Sequence, residues 1–162
     1  MGWSTTVNDY HASDLEGAGT TRMEGGKTFK WVQNVTGGAL VVGGVYFYGG
    51  TAGDISLTTV FKLGQSSEDT ASSLMAGVSM SVAGDNSYCW IQIGGPGRVL
   101  LQTDASTAIS IGMVCDPVSG QVYLTNGSAA GVASLTTRVV ISLVAVTTST
   151  SSTLKDGFIQ CL

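Results

Sequence analysis

A Gly-Lys-Thr triplet near the start of the chain is the residue set that most suggests chemistry. Gly26-Lys27-Thr28 matches the end of a phosphate-binding loop, in which backbone N–H groups and a lysine hold nucleotide phosphates. The full pattern needs a glycine five residues before Gly26, where this chain has Thr21, and a helix directly after the loop. The residues that follow are aromatic and β-branched, which favours a strand. The triplet therefore predicts the start of a strand and no nucleotide site.

A hydrolytic triad would have to use His11, because it is the one histidine of the sequence. Asp9 and Asp14 flank it and serines are abundant, so the residue types of a Ser-His-Asp triad are present. The histidine lies in a polar stretch without strand or helix periodicity, where nothing would hold it in a catalytic geometry. We interpret it as an incidental surface residue, and we predict that the chain is not an enzyme and has no catalytic residues.

Carboxylates and thiols offer two further routes to chemistry. The acidic residues beyond the N-terminal region lie mostly at turns, where aspartate is favoured by local hydrogen bonds. The candidates among them for an acidic catalytic pair or a calcium site are Asp54, Glu68, Asp69, Asp85, Asp104 and Asp116. The cysteines Cys89, Cys115 and Cys161 are far apart and lack the short spacings of a zinc site or a redox pair. The sequence predicts no metal and no cofactor, and free thiols buried as small apolar groups in a reducing compartment.

Charge is scarce in this chain. Charged residues make up 11% of the sequence and hydrophobic residues 43%, whereas charged residues are about 25% of an average soluble domain. Such a composition suits a β-rich protein whose surface lies largely against other subunits, and a secreted β domain could share it. The net charge of −4 and the scattered basic residues argue against nucleic-acid binding. Paired glycines interrupt the longest uncharged run, residues 31–53, which predicts strands and turns and no membrane span.

Alternation with a period of two runs through most of the sequence. "GVSMSVAG" at 77–84 and "YCWIQIGG" at 88–95 flank the turn residues "DNS", which predicts a hairpin. "LTTRVVISLVAV" at 135–146 is the strongest strand candidate, and a Ser/Thr-rich loop at 147–157 precedes a last strand at 158–162. Residues 66–77 alone hint at a helix, of two turns at most. This density of strands predicts an all-β fold, a small antiparallel β-sandwich or barrel.

The first 26 residues differ from the rest because they show neither period and carry most of the early polar residues. We predict an extended N-terminal arm over residues 1–26 and a β-rich domain over residues 27–162. A disordered tail is the alternative for the first segment.

The order of these features resembles the capsid decoration, or cement, proteins of tailed bacteriophages. The polar segment runs into the strand "EGGKTFKWVQN" at 24–34 and then into the apolar, glycine-rich "ALVVGGVYFYG" at 39–49, and the similarity covers most of residues 22–162. The resemblance implies a structural virion protein, made in the host cytoplasm, that binds the outer surface of the head and bridges major capsid subunits. It also implies a homotrimer that uses neither nucleic acid nor a membrane.

Four aromatic residues are our candidates for contacts with the capsid or with another copy, because aromatic residues are enriched at interface hot spots. They are Trp3, Tyr10, Trp31 and Trp90. A head fibre or a receptor- or glycan-binding virion module is the alternative function. That function would cluster the three tryptophans as exposed rings in a cleft.

Overall fold

The computed structural model of the chain describes residues 4–49, 62–63, 75–103, 108–117, 121–126, 138–147 and 151–161. These residues form strands and connecting turns without a helix, which confirms the all-β prediction. The strands are β1 (Tyr10–His11), β2 (Thr21–Glu24), β3 (Lys27–Asn34), β4 (Val45–Phe47), β5 (Lys62–Leu63), β6 (Met75–Ser79), β7 (Tyr88–Leu101), β8 (Val114–Pro117), β9 (Leu124–Asn126), β10 (Arg138–Ser142) and β11 (Thr153–Cys161). Within this described part there is no helix long and apolar enough to cross a membrane.

The long strand β7 belongs to two halves of the fold. Its second half pairs with β11, and further pairings join β11 to β10, β10 to β8, β8 to β9 and β9 back to β7 at Leu101. These five strands therefore close into a small barrel. Its interior is filled by buried aliphatic side chains, which include Val99, Leu101, Leu124, Val140 and Ile159.

The first half of β7 carries a second set of strands. It pairs antiparallel with β3, and β3 pairs with β2 on its other side. Strands β1 and β6 also pair with β7, β4 pairs with β6, and β5 pairs parallel with β3. A separate cluster fills this half, with Val32, Leu63, Ala76, Cys89 and Ile91 among its buried members.

The turn between β2 and β3 explains the Gly-Lys-Thr triplet. Gly25 and Gly26 have φ values of 57° and 77°, as a two-residue hairpin turn with two left-handed positions requires. Lys27 begins β3, so the prediction of a strand after the triplet is confirmed. The predicted boundary between residues 26 and 27 falls in this turn, and β2 on one side pairs with β3 on the other.

Two local predictions fare differently. The hairpin of residues 77–95 is confirmed, because β6 and β7 pair antiparallel at Val78 and Gln92. The predicted start of the last strand is wrong, because β11 begins at Thr153 instead of residue 158. The ladder to β7 starts at the Thr153 and Leu101 pair, so tertiary pairing extends the strand into a polar stretch that has no apolar alternation.

Of the stretch that hints at a helix, residues 66–74 lie outside the described residues, and Met75–Gly77 belong to β6.

Candidate functional site

A pair of buried tryptophans lies beneath the N-terminal part of the chain. Trp31 in β3 and Trp90 in β7 are direct neighbours across the two strands, and their ring centroids are 5.2 Å apart at 60°. Both side chains are 0% exposed. Tyr88 stacks on Trp31 at 6.4 Å, and Phe29 completes the cluster. Each indole carries an N–H group that needs an acceptor when it is buried.

Thr5 supplies the acceptor for Trp90. The indole Nε1–H of Trp90 donates to the Thr5 hydroxyl oxygen at 2.8 Å. The Thr5 hydroxyl and the Thr5 backbone N–H both donate to the Glu16 carboxylate, at 2.8 and 2.9 Å. The carboxylate thus holds Thr5 in place, and Thr5 holds the indole. The two bonds to a charged acceptor are of the stronger kind.

Asp14 does the same for Trp31. The Trp31 Nε1–H donates to the Asp14 carboxylate at 2.8 Å. That carboxylate also accepts the backbone N–H groups of Gly17 and Ala18, each at 2.9 Å. We call residues 4–24 the N-terminal segment, and its Thr5 and Asp14 the two indole caps. Sequence reasoning missed both caps, because a threonine and an aspartate in an aperiodic polar stretch give no signal of what they bind.

Arg22 connects β2 to the same cluster. Its guanidinium lies 5.8 Å from the centre of the Trp90 ring, and its Nη1 donates to the Thr5 carbonyl at 2.9 Å. It also forms an ion pair with Glu24. The described residues of the N-terminal segment are therefore held against the tryptophan pair by hydrogen bonds, a cation–π contact and the pairing of β1 and β2.

The outer side of this segment carries apolar side chains. Tyr10 is 49% exposed, Leu15 is 48% exposed and Met23 is 80% exposed. Such residues on a well-held segment form a surface that another protein could cover. We take these three side chains together with the tryptophan pair and its caps as the candidate site. Leu15 and Met23 were not among the contact candidates from the sequence.

The four aromatic candidates thus occupy different environments. Tyr10 presents exposed area at the surface, whereas Trp31 and Trp90 have none, because the chain's own strands and caps cover them. Trp3 lies outside the described residues. The structure brings Trp31 and Trp90 together as packing residues, and it leaves Tyr10 as the accessible one among the described candidates.

His11 is partly buried, whereas the sequence predicts an incidental surface residue. Strand β1 pairs with β7 at Tyr88, which carries the imidazole to 6.2 Å from the Trp31 ring. The His11 Nε2 is buried and has no hydrogen-bond partner among the described residues. The carboxylate of Asp14, which could have completed a triad, instead accepts hydrogen bonds from Trp31 and the backbone.

The other acidic candidates do not form a site in the described part of the chain. Asp85 accepts from Gly37 N–H and the Asn86 amide, as a turn aspartate does. Of the other predicted turn acids, Asp54, Glu68, Asp69 and Asp104 lie outside the described residues, and within the described part no three metal-ligating side chains form a cluster.

No disulfide bond joins any of the three cysteines, and burial suppresses thiolate formation at Cys89 and Cys161. Cys89 and Cys115 are buried, and Cys161 is partly buried. Burial raises the pKa of the Cys89 and Cys161 thiols to about 12. Both thiols therefore stay protonated near neutral pH, which fits the expected role as small apolar groups.

An open groove of about 420 Å³ lies where β3, β7 and β11 meet, and Thr28, Gly94, Phe158 and Cys161 are among its lining residues. Among the described residues that line it, none carries a charged side chain.

No family model matches this chain, and no curated protein or solved structure matches it either.

Proposed function

We propose that the chain is a structural virion protein that decorates a tailed-bacteriophage head. In this proposal it binds the outer surface of the capsid, bridges neighbouring major capsid subunits and stabilises the shell. The resemblance described above suggests the family, and one structural observation carries the proposal further: an N-terminal segment that is tightly held on a β body presents exposed Tyr10 and Leu15. No catalytic step, cofactor, nucleic acid or membrane is part of this role.

The rigidity of the segment supports a contact role. A flexible arm loses conformational entropy when it docks, whereas a segment already fixed by the two indole caps loses less. Exposed apolar groups on such a segment can then supply about 25 cal/mol for each Å² that a partner covers. The scarcity of charge, 11% of the sequence, also suits interface cores, which are depleted of charged residues.

The burial of the tryptophans favours decoration over the alternative of a head fibre or glycan-binding module. Sugar recognition by tryptophan needs an accessible ring face, and Trp31 and Trp90 offer none. The copies of the chain are proposed to associate with one another as well as with the capsid, as a homotrimer in the form that the resemblance implies.

Binding to phage heads tests the proposal directly. Purified protein is mixed with heads of the phage that encodes it, prepared without this chain, and bound copies are counted by sedimentation and located by cryo-electron microscopy. We expect saturable binding on the exterior and a higher temperature of DNA release. Tyr10→Ser and Leu15→Ser should each weaken binding by roughly tenfold or more if the side chain is a hot spot.

Ile111→Ser is the matched control, because Ile111 is 70% exposed and does not belong to the N-terminal segment. Binding that is lost equally in all three variants would point to a non-specific apolar effect. Absence of binding to heads, with binding to host-surface glycans on an array, would replace the decoration role by the receptor-binding one.

A further inference from the structure

Strand β2 lies at an edge of the sheet. It pairs antiparallel with β3 on one side, and none of the other described strands pairs with it. Thr21, Met23 and Glu24 are exposed, and Met23 at 80% is the most exposed large apolar side chain of the described residues. An edge that carries such a residue is a template for pairing with another strand.

The hairpin geometry determines which backbone groups of β2 point outward. In a two-residue hairpin the residues that flank the turn, here Glu24 and Lys27, form a hydrogen-bonded pair. Hydrogen-bonded and non-hydrogen-bonded pairs alternate along an antiparallel ladder, so Arg22 and Phe29 form the next hydrogen-bonded pair. The N–H and C=O groups of Thr21 and Met23 therefore point away from β3 and can bind a further strand.

We propose that this edge binds β2 of a second copy of the chain, antiparallel and around a two-fold axis at Met23. Met23 then faces Met23 of the second copy and exchanges two backbone hydrogen bonds with it. In the same register Arg22 faces Glu24 of the second copy, and Glu24 faces its Arg22. Each chain also has its own ion pair between Arg22 and Glu24. The two arginines and two glutamates at the contact therefore alternate in sign.

Charge complementarity selects this register and this partner. A two-fold axis at Arg22 or at Glu24 would set two like charges directly opposite each other, which destabilises a strand pair. An axis at Thr21 would leave both charged residues opposite the uncharged positions 18 and 20. The Thr-Arg-Met-Glu edge is thus complementary to itself when it is centred on Met23, and this is why a second copy is the occupant that we infer.

The contact is small, so it should be weak and depend on concentration. A four-residue edge buries far less than the roughly 1,000 Å² of a stable specific interface. Sedimentation equilibrium over about 10–500 µM covers the range in which such contacts form. We expect the mass of the wild-type chain to double with rising concentration from that of its smallest species. This two-fold contact is separate from the proposed three-fold association and does not depend on the proposed capsid role.

Charged substitutions at position 23 test whether the two-fold axis passes through Met23. M23K and M23E each place two identical charges face to face, so both should weaken association at least about tenfold. M23Q, which is uncharged and similar in length, should dimerise within a few-fold of wild type. An equimolar mixture of M23K and M23E should regain association as a heterodimer, because opposite charges then meet. Circular dichroism should be unchanged in all three variants, since the side chain is largely in solvent.

Several results would overturn the two-fold pairing. One is a wild-type chain that stays monomeric over the whole range, and another is a trimer whose mass M23K and M23E leave unaltered. A third is association that M23K strengthens while M23E weakens it, because this would reflect the net charge of −4 and not a self-facing residue. A mixture of M23K and M23E that stays monomeric would also contradict it.

Discussion

The indole N–H of Trp90 donates to the hydroxyl oxygen of Thr5 at 2.8 Å, and the two residues are 85 positions apart in sequence. The bond joins the start of the described chain to the centre of the fold, because β7 is the strand that both halves share. Both partners are buried, Thr5 at 5% exposure and Trp90 at 0%. Water cannot easily replace either group, so the pair should matter for stability.

Replacing Thr5 by valine tests this bond. Valine keeps the shape of threonine but removes the hydroxyl, which leaves the Trp90 N–H without its acceptor and the Glu16 carboxylate without one donor. We expect the free energy of unfolding to fall by about 1–3 kcal/mol. Urea denaturation followed by tryptophan fluorescence measures it.

Thr6→Val is the matched control, because Thr6 is the next residue and its side chain is exposed. Its free energy of unfolding should stay within about 0.5 kcal/mol of wild type. Equal stability losses in the two variants would mean that the hydroxyl of Thr5 has no special role.

The fold class could be predicted from the sequence because period-two alternation is a local property. The strands around Cys89 and Ile91 show it, and they lie where expected. The closure of the barrel could not be predicted, since it depends on the pairing of Leu101 with Leu124, which leaves no mark on either segment. The sequence predicts too late a start for β11 for the same reason, because the pairing with β7 that begins at Thr153 is not visible in the sequence.

The sequence names Tyr10, Trp31 and Trp90 as contact candidates, and it does not indicate which of them the chain itself covers. Tryptophans in alternating strands indicate either a core or a contact surface, and sequence alone does not choose between them. Trp31 and Trp90 are core residues because Asp14 and Thr5 cap their N–H groups. Such long-range side-chain hydrogen bonds have no periodic signature, so the sequence predicts an extended arm or a tail over residues 1–26 and gives no signal of the tryptophans that Thr5 and Asp14 cap.

Removal of the N-terminal segment should reveal what it covers. Deleting residues 1–26 removes both indole caps, β1 and β2, so the tryptophan pair would face water. We expect a red-shifted tryptophan emission and a lower urea midpoint. Deletion of residues 1–3 is the control, and it should leave the midpoint unchanged because Thr5 and Asp14 remain. A 1–26 deletion as stable as the full chain would show that the caps contribute little.

Alkaline pH should destabilise the chain through its buried thiols and phenols. Burial raises the pKa of Cys89 and Cys161 from 9.0 to about 12, and it raises the pKa of Tyr46 and Tyr48 as well. Above pH 9 the unfolded chain therefore releases protons that the folded chain retains. The unfolded state binds fewer protons, so the free energy of unfolding falls as pH rises from about 9 towards 12.

Lys30 acts in the opposite direction, because burial lowers its pKa and the folded chain loses that proton first. One amine opposes two thiols and two phenols, so the fall should prevail. Urea midpoints measured at rising pH check the sign, and Cys89→Ala should reduce the slope above the ordinary thiol pKa of 9.0. A midpoint that stays constant or rises over this range would contradict the expected sign.

A pair of glycine substitutions separates backbone strain from a steric clash. Gly95 and Gly112 have nearly the same φ, 87° and 81°, so alanine is strained at both positions. A Cβ atom on Gly112 would meet no atom of the described residues within 4 Å, whereas one on Gly95 would lie 2.4 Å from the Gly26 carbonyl oxygen. The carbonyl belongs to the turn between β2 and β3, which cannot move without disturbing both strands.

We therefore expect Gly112→Ala to cost about 1–2 kcal/mol, the ordinary penalty of a left-handed position. Gly95→Ala should cost clearly more, because the hairpin turn has to shift away from β7 as well. The difference between the two urea midpoints isolates the packing of the turn against Gly95 of β7. Equal losses would mean that the turn yields freely, and β2 would then be a less rigid edge than its pairing with β3 indicates.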